Sequence, residues 1–406
     1  MEPVIFHIDV NSAYLSWTAL SLLEQGETVD LREIPSVIGG DRSKRHGVVL
    51  AKSLPAKAYG IRTGEPIANA LRKCPLLTLA PPDHKLYAAR SRQLMEFLST
   101  FSPHLEQVSI DECYMDFTQA CANYSSPEEA ASLIKDSILK QFHFTVNVGI
   151  SNRKVLAKMA SDFEKPDRVH TLFSHEIPEK LWPLPVSRLY MCGHSSVESL
   201  RKLEILTIGD LAQADPAILT AHLKSHGLLL HHYANGMDSS SVESAPAAAK
   251  GIGNSTTLHT DALTREDALP VLSWLAGSVS ARLCRAGQIA SMISCEIKYS
   301  SFRSVSHQTT LSTPTNSREV IYETACMLFD ELWDGSPVRL FGIRTSKLHT
   351  VDEPVQLNLL DLQKQNEEKL VLEKQQKLES ALNQIKHKYG DFAVIKGSHL
   401  TQGESP

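Results

Sequence analysis

The spacing of apolar residues divides the chain into segments with different predicted secondary structure. Short, nearly continuous apolar runs predict buried strands at 4–8, 47–51, 108–110, 144–150, 291–300 and 342–348. Apolar residues spaced three and four apart predict helices at 13–23, 67–73, 127–140, 154–162, 268–283 and 318–332. Because helices and strands alternate between 85 and 172 and again after 250, the pattern favours an α/β or α+β core.

Three other segments lack this alternation. Residues 174–240 read as short helical segments with Gly193 and Gly209 between them. Residues 242–250 contain an Ala-Pro-Ala-Ala-Ala run that is typical of a linker, and the segment after 352 ends in a charged helix at 365–388. With 406 residues and no internal repeat, the chain is long enough for about two to four domains.

Carboxylates lie at the ends of two of the apolar runs. The run 4–8 leads into Asp9, and the run 108–110 leads into Asp111 and Glu112. Two neighbouring strands can present three such side chains to one point, and divalent cations relieve the repulsion between them. Two cations held in this way catalyse phosphoryl displacement. The residues alone leave a second interpretation open, in which each acid ends a strand and faces solvent.

Composition and charge narrow the class of protein. The chain is 42% hydrophobic and 21% charged, as ordinary soluble globular proteins are. Its seven cysteines form no C-x-x-C pair, which favours reduced thiols in a cytoplasmic protein over a zinc site or a disulfide framework. We expect no signal peptide and no membrane span.

The net charge of −5 conceals an uneven distribution along the chain. Segment 32–92 has twelve Lys and Arg against four acids, whereas segment 93–180 has eight against thirteen. A basic segment followed by an acidic one suits a protein that attracts phosphates on one side and metal ions on the other. A merely solvated basic face remains the alternative for the first segment.

The acids lie within longer motifs. Asp9-Val10-Asn11, Ser109-Ile110-Asp111-Glu112 and the segments 51–62, 149–166 and 191–211 resemble the Y-family of translesion DNA polymerases, in its bacterial DinB/UmuC group. The resemblance covers nearly the whole chain and implies an α+β multidomain fold with the right-hand architecture of polymerases. The implied domains are a palm at 1–30 and 78–172, fingers at 31–77, a helix-hairpin-helix thumb at 173–241, a linker at 242–250, a little finger at 251–350 and a tail at 351–406.

The resemblance also implies a two-metal site. Asp9 and Asp111 would hold both Mg²⁺ ions, Glu112 would join at the ion near the primer 3′-hydroxyl, and the Val10 carbonyl would complete the other ion. Tyr14 occupies the position of an aromatic gate that excludes the 2′-hydroxyl of ribonucleotides. Ala13 stands where the family usually has a bulky aromatic, which is expected to reshape the floor of the nucleotide pocket.

Lysines are the implied ligands of the triphosphate. In the fingers motif, Leu54 and Lys57 replace the tyrosine and arginine that many members use, so a weaker grip on the nucleotide is expected. Lys165 is assigned to the β- and γ-phosphates. Seven residues before it, on the same face of the predicted helix, Lys158 either supports Lys165 or contacts acidic neighbours.

The remaining implied contacts are with DNA and with a protein partner. Gly193 and Gly209 would bring backbone N–H groups of the thumb to phosphates, and Arg339 and Arg344 of the little finger would contact the duplex backbone. The run 356–360 resembles a sliding-clamp-binding motif, which would place a replication (beta) clamp on these residues: Gln356, Leu357, Leu359 and Leu360.

The sequence therefore predicts a low-fidelity, template-directed polymerase of translesion synthesis that acts on primer–template DNA and deoxynucleoside triphosphates. Two other functions remain open: a DNA- and clamp-binding accessory protein that has lost efficient catalysis, and a helix-hairpin-helix nuclease. Within the family, Lys57 and the Asp9-Val10-Asn11 motif favour similarity to the polymerase V catalytic subunit. The sequence does not decide whether the chain acts alone, as the polymerase IV type does, or with an accessory damage-response protein.

Overall fold

The structure is a computed structural model that describes residues 2–40, 47–245 and 248–350, together with residues 381 and 388. The chain divides into two compact units, Met1–Ala247 and Ala248–Pro406. The boundary between them falls within the predicted linker.

The first unit contains two sheets and ten α-helices in its described part. Its strands are β1 (Ile5–Val10), β2 (Ser36–Gly39), β3 (Val49–Lys52), β4 (Thr78–Ala80), β5 (Leu105–Gln107), β6 (Glu112–Asp116), β7 (Val146–Ser151) and β8 (Val169–Thr171). Its helices are α1 (Ala13–Glu24), α2 (Leu54–Ala58), α3 (Ile67–Lys73), α4 (His84–Ser99), α5 (Pro127–Phe142), α6 (Lys154–Ser161), α7 (His194–Lys202), α8 (Ile208–Gln213), α9 (Pro216–Leu223) and α10 (Ser225–Ala234).

The larger sheet has the strand order β5-β6-β1-β7-β8. β1 runs antiparallel to both of its neighbours, β6 and β7. Since side chains alternate along a strand, β1 sends Phe6, Ile8 and Val10 into a core with α1, α4 and α5. Its other face carries His7 and Asp9 and is covered by α6. This alternation places the polar residues of β1 on one side of the sheet.

A glycine permits α6 to lie this close to the sheet. A Cβ atom on Gly149 in β7 would come within 2.0 Å of the Ala157 carbonyl oxygen and 2.4 Å of the Ser161 nitrogen. Only a residue without a side chain fits there, so Gly149 fixes the distance between the helix and the strand.

The smaller sheet has the order β3-β2-β4, and α2 and α3 contribute to its core. Its third strand, Thr78–Ala80, extends beyond the predicted fingers boundary at residue 77. In the helical segment that follows β8, α7, α8, α9 and α10 share a core with Val155, Leu156 and Met159 of α6. Helix α6 therefore contacts the large sheet on one side and the helical segment on the other.

The second unit is one antiparallel sheet with two helices in its described part. The strands, in the order β11-β10-β12-β9, are β9 (Gly251–Ala262), β10 (Gln288–Tyr299), β11 (Ser304–Thr315) and β12 (Val338–Thr350). Helices α11 (Arg265–Arg285) and α12 (Arg318–Leu332) pack on it around a core that includes Leu275, Ile297 and Phe341.

Most predicted elements are present, and the α+β multidomain class is confirmed. The predicted helices at 67–73 and 318–332 have the observed bounds. The predicted strand at 108–110 is wrong, because these residues form the turn between β5 and β6. The N–H groups of Val108 and Ser109 both donate to the Glu112 carbonyl oxygen, at 3.0 and 3.2 Å. Two apolar residues in a hairpin turn produced the misleading strand pattern.

All seven cysteines are free thiols, as the sequence predicted. Among the described residues, no helix has the length and the apolar character needed to span a bilayer.

Candidate active site

The three predicted carboxylates lie together where β1 ends and β6 begins. Asp9 is the register partner of Glu112, and the Val10 N–H donates to the Asp111 carbonyl oxygen at 3.0 Å. Antiparallel pairing thus joins residues about a hundred positions apart in sequence. Glu112 begins β6 and Asp111 immediately precedes it, so neither acid ends a strand, which corrects the predicted placement; the three acids are nevertheless neighbours in the structure.

The pKa of Asp111 is shifted in the direction that favours protonation. Burial raises its pKa, and the nearby charges of Asp9 and Glu112 raise it further, although the Ser109 hydroxyl opposes them. The Ser109 Oγ donates to Asp111 Oδ1 at 2.6 Å. Such mutual repulsion of acids is what a bound cation would relieve.

The pKa of Glu112 is shifted in the opposite direction. His7 Nε2 lies 3.2 Å and Lys158 Nζ 2.5 Å from its Oε2 atom. These two groups lower the pKa of Glu112 to about 2, in spite of its partial burial. Glu112 is therefore ionised throughout the neutral range.

Two lysines lie against the acids. Lys158 on α6 has its Nζ 2.5 Å from Glu112 and 3.4 Å from Asp9. Burial would lower its pKa, but the charges of Asp162, Asp9 and Glu112 outweigh burial and raise it. Of the two roles that the sequence left open for Lys158, the structure shows contacts with acidic neighbours.

Lys165 reaches the same cluster from a different element. Helix α6 ends at Ser161, so Lys165 lies in the loop beyond it, and the prediction that both lysines share a helix face is wrong. Its Nζ is nevertheless 2.8 Å from Asp9 Oδ2 and 2.8 Å from Asp162 Oδ1. Although burial opposes it, the charge of these two acids raises the pKa of Lys165.

A cavity of about 340 Å³ opens beside the acids. The residues that line it come from β1, α1, β3, α2 and the loop after α6, and they include Asp9, Val10, Ser12, Lys52, Leu54, Lys57 and Lys165. Ser53 caps α2 by accepting from the Ala56 N–H, and this places Lys57 in the last turn of that helix. Lys57 and Lys165 therefore line the same cavity.

Lys52 also lines this cavity, and the sequence analysis missed it. Burial lowers its pKa, and the positive charge of Lys57 lowers it further. A second lysine five residues before Lys57 in the basic segment 32–92 was the available signal. His7 and Asp162 were missed as well, since nothing in their local spacing distinguishes them.

Tyr14 lies on α1 with its ring stacked on Tyr87, at 4.3 Å between centroids. Burial raises the pKa of Tyr14, and the negative charge of Asp111 raises it further. Ala13 is only 3% exposed and belongs to the core under the large sheet. This placement does not support a direct contact between Ala13 and a nucleotide.

The predicted DNA contacts have different outcomes. Gly193 is the N-cap of α7, and a Cβ there would meet nothing within 4 Å. Gly209 is buried inside α8, and its N–H donates to the Trp182 carbonyl oxygen at 3.0 Å. The predicted phosphate contact of Gly209 is therefore wrong: a Cβ at this position would come 3.1 Å from the Trp182 Cβ, so the glycine serves close packing.

In the second unit, Arg339 and Arg344 both lie on β12. The Arg339 guanidinium is 5.0 Å from the centroid of the exposed Phe302 ring, and Arg344 is exposed. Their contacts with DNA stay a prediction. The predicted clamp-binding residues, Gln356, Leu357, Leu359 and Leu360, lie outside the described residues.

The donor set suits a hard divalent cation. Three carboxylates and the Val10 carbonyl supply only oxygen atoms, which Mg²⁺ prefers. In the part of the chain that the structure describes, no three His, Cys, Asp or Glu side chains converge tightly enough to form a ready-made metal cluster. Lys158 and Lys165 occupy positions against Asp9 and Glu112, so a cation there would displace ammonium groups.

Comparison with known proteins places this geometry in a family. Residues 8–162 match the impB/mucB/samB family, and residues 249–359 match its C-terminal domain. A DNA polymerase IV of Clostridium acetobutylicum is 44% identical over 404 residues and covers 100% of both chains. The chain belongs to the Y-family of DNA polymerases. It is a DNA-directed DNA polymerase of the translesion class, and its catalysis is metal-dependent.

Two further relatives agree with this placement. DNA polymerase IV 1 of Bacillus subtilis is 36% identical over 404 residues, which is 99% of this chain and 94% of that protein. The solved structure of a Y-family DNA polymerase chimera, Dbh-Dpo4(243-245)-Dbh, has the same fold, with a TM-score of 0.75 at 22% identity over 86% of this chain and 99% of that one. These relatives are polymerase IV proteins, which contradicts the predicted similarity to the polymerase V catalytic subunit. Membership of this polymerase family also sets aside the two alternative functions, a DNA- and clamp-binding accessory protein and a helix-hairpin-helix nuclease.

Proposed function

We propose that this Y-family polymerase extends a primer at Asp9, Asp111 and Glu112 with two Mg²⁺ ions, using DNA and deoxynucleoside triphosphates as substrates. The observation that carries this proposal is the convergence of the three acids at the end of β1, beside a cavity that also contains Lys52, Lys57 and Lys165. Asp9 and Asp111 would hold both ions, Glu112 the ion near the primer, and the Val10 carbonyl the ion near the nucleotide.

When bound, the two ions supply activation of the 3′-hydroxyl and neutralisation of charge on the phosphates. The protein supplies the positions of the groups around them. Lys57 and Lys165 line the cavity and bind the β- and γ-phosphates as point charges, and Lys52 adds a third ammonium group to the same cavity. This third charge offsets the loss of the arginine and tyrosine that many family members have.

Primer extension tests the assignment of the acids. The wild type and Asp111→Asn are compared with Mg²⁺ and the four deoxynucleotides on an undamaged and an abasic template. We expect extension by the wild type and a loss of at least about a thousandfold in the variant, because an amide removes a charge that both ions require. Equal extension by Asp111→Asn, with an unchanged melting temperature, would contradict the proposed site.

Bypass of the abasic template tests lesion tolerance separately. The sheet of the predicted fingers has only three short strands, and the helices packed with it are five and seven residues long. A small fingers segment that does not enclose the nascent base pair permits low-fidelity synthesis across a damaged template. Extension that stops one nucleotide before the abasic site would contradict this part of the proposal.

Tyr14 is proposed as the residue that selects the sugar. Its stacking on Tyr87 holds the ring in place, so a ribose 2′-hydroxyl would collide with it. Tyr14→Ala is expected to raise the ratio of ribonucleotide to deoxynucleotide incorporation by about a hundredfold or more, equivalent to roughly 3 kcal/mol of lost discrimination. Tyr14→Phe keeps the ring and should keep the selectivity; equal ratios in the wild type and Tyr14→Ala would contradict the role.

The remaining proposals concern DNA, location and partners. On the basis of the family, we propose the predicted boundaries of the palm, fingers, thumb and little finger, contacts of Gly193, Arg339 and Arg344 with the DNA backbone, and a cytoplasmic location. We further propose that the run 356–360 binds a bacterial sliding clamp, and that accessory damage-response proteins are further partners of the polymerase. Replacement of both Leu359 and Leu360 by alanine should abolish clamp binding in surface plasmon resonance and leave extension without the clamp unchanged.

A further inference from the structure

The loop that carries Lys165 is held to the large sheet by a buried side-chain amide. Asn147 lies on β7 and is fully buried. Its Nδ2 atom donates to the carbonyl oxygens of Ser161, at 3.1 Å, and Glu164, at 2.7 Å. Its Oδ1 atom accepts from the Arg168 N–H at 3.3 Å. Asn147 therefore binds the backbone on both sides of Lys165.

A second amide completes this network. Asn11 Nδ2 donates to Asn147 Oδ1 at 3.1 Å, and Asn11 Oδ1 accepts from the Asp167 N–H at 2.9 Å. Both donor hydrogens and both acceptor positions of the Asn147 amide are thus used, as a buried polar group requires. Reversing either amide would set oxygen against oxygen and N–H against N–H. The network therefore fixes the orientation of both side chains.

The two amides act on the backbone where regular secondary structure stops. Helix α6 ends at Ser161 and β8 begins at Val169, so residues 162–168 lie outside both elements. Asp167 has a left-handed backbone conformation, with φ +60°, which is uncommon outside glycine and persists where contacts hold it. The Asn11 side chain is one such contact. We infer that the path of this loop depends on the two amides.

We propose that Asn147 is a positioning residue for Lys165, which it keeps at the nucleotide cavity by fixing the backbone on both sides of it. The Lys165 Nζ atom lies 2.8 Å from Asp9 Oδ2 and 2.8 Å from Asp162 Oδ1. A lysine ammonium stands at the end of a flexible stem, so a mobile backbone would add freedom that nucleotide binding has to remove. This inference rests on the proposed function, because it requires Lys165 to bind the triphosphate.

Nucleotide affinity tests this role. The full chain is bound to primer–template DNA with a dideoxy-terminated primer and Mg²⁺, so that no reaction occurs, and the Kd of the incoming deoxynucleotide is measured by fluorescence titration. We expect Asn147→Ala to raise this Kd by about tenfold, because the ammonium group is no longer held in place. A Kd equal to that of the wild type would overturn the proposal.

Ser151→Ala is the matched control. Ser151 is also fully buried on β7, and its hydroxyl donates to the Leu172 carbonyl oxygen, outside residues 162–168. The variant therefore removes a buried hydrogen bond from the same strand and leaves the loop attached. It should leave the Kd unchanged. An equal rise of the Kd in Ser151→Ala and Asn147→Ala would show a general effect of weakening the sheet, and the proposal would be wrong.

A double-mutant cycle shows whether the effect passes through Lys165. In a Lys165→Ala background, Asn147→Ala should change the Kd by less than about twofold, because the group that it positions is gone. Fully additive effects would overturn the proposal. An unchanged Kd in Lys165→Ala alone would contradict the proposed function of Lys165 itself. Weaker binding in Lys165→Ala, together with an unchanged Kd in Asn147→Ala, would contradict only the role of Asn147.

Hydrogen exchange in the wild type covers the case in which Asn147→Ala does not fold. The N–H groups of Asp167 and Arg168 donate to the oxygens of the two amides. They should exchange at least about a hundredfold more slowly than in an unstructured peptide. Exchange at the rate of an unstructured peptide would show that the amides do not hold the loop, which rules out the positioning role.

Discussion

The pKa values of two neighbouring carboxylates, Asp111 and Glu112, are shifted in opposite directions. The pKa of Asp111 is raised by burial and by its acidic neighbours, whereas His7 and Lys158 hold that of Glu112 near 2. The difference follows from which groups each carboxylate faces: Asp111 faces a hydroxyl, and Glu112 faces an imidazole and an ammonium group. Two adjacent acids in the sequence therefore differ in what stabilises their charge.

Loss of Lys158 should destabilise the fold in a pH-dependent manner. Lys158→Met leaves partly buried carboxylates without their cation, which should cost roughly 3 kcal/mol of the free energy of unfolding at pH 7. The Glu112 pKa is depressed from 4.5 to about 2, so its stabilisation is present above pH 4.5 and is lost as the pH falls through about 2.

Urea denaturation of the wild type and Lys158→Met across this pH range checks the sign. The difference between them should be largest at neutral pH and should shrink below pH 4.5. A difference that grows on acidification would contradict the assigned ion pair.

Met191 is a second informative residue, because it adopts a left-handed backbone conformation with φ +67° and is half exposed. A side chain at such a φ costs roughly 1–2 kcal/mol, more than the entropy that glycine loses on folding. Met191→Gly should therefore raise the free energy of unfolding by about 0.5–1 kcal/mol.

Met237 provides the matched control, since it is similarly exposed but is not among the residues with positive φ. Met237→Gly should lower the free energy of unfolding, as measured by urea denaturation. Equal effects at the two positions would show that the backbone at Met191 is not strained.

At the scale of elements, α6 links the large sheet to the helical segment. One face of α6 packs on β1 and β7, and the other face contributes to the core of α7 to α10. The Lys158 side chain extends from α6 to the acids. The close approach to β7 depends on Gly149. The position of a lysine in the proposed site is therefore set by a glycine on a strand.

Gly149→Ala should displace α6 and disturb the site as well as the fold. Since the added methyl would meet backbone atoms, overpacking should cost about 3 kcal/mol of the free energy of unfolding. Primer extension should fall with it, because Lys158 and the Ser161 partner of His7 both move with the helix.

Gly193→Ala is the control substitution for the folding measurement, as a Cβ there meets nothing within 4 Å. Its cost should be less than about 1 kcal/mol, the difference between glycine and alanine at an N-cap. Comparable destabilisation by the two variants in chemical denaturation would rule out the packing argument.

At the scale of the whole molecule, the chain consists of two units with separate hydrophobic cores. Among the residues that the structure describes, the core under the large sheet contains none beyond 247, and the core of the second unit contains none before 248. Separate cores permit each unit to fold by itself.

The full chain should accordingly unfold in more than one step. Differential scanning calorimetry should give two transitions, and a fragment of residues 248–406 should fold alone and show one of them. A single cooperative transition, together with an unfolded fragment, would contradict this independence.

The sequence by itself predicted several of the helices, identified the family and singled out the three acids. Periodicity gave the bounds of α3 and α12, and the motifs around Asp9, Asp111 and Glu112 identified the polymerase family, because both depend on residues close together in the chain. Only the tertiary structure decided which groups face each acid. The pairing of β1 with β6, the reach of Lys165 from a loop, the burial of Gly209 against Trp182 and the place of His7 behind Glu112 all join residues far apart in sequence. Local spacing holds no information on such contacts, since they arise from strand register and from the packing of a whole core.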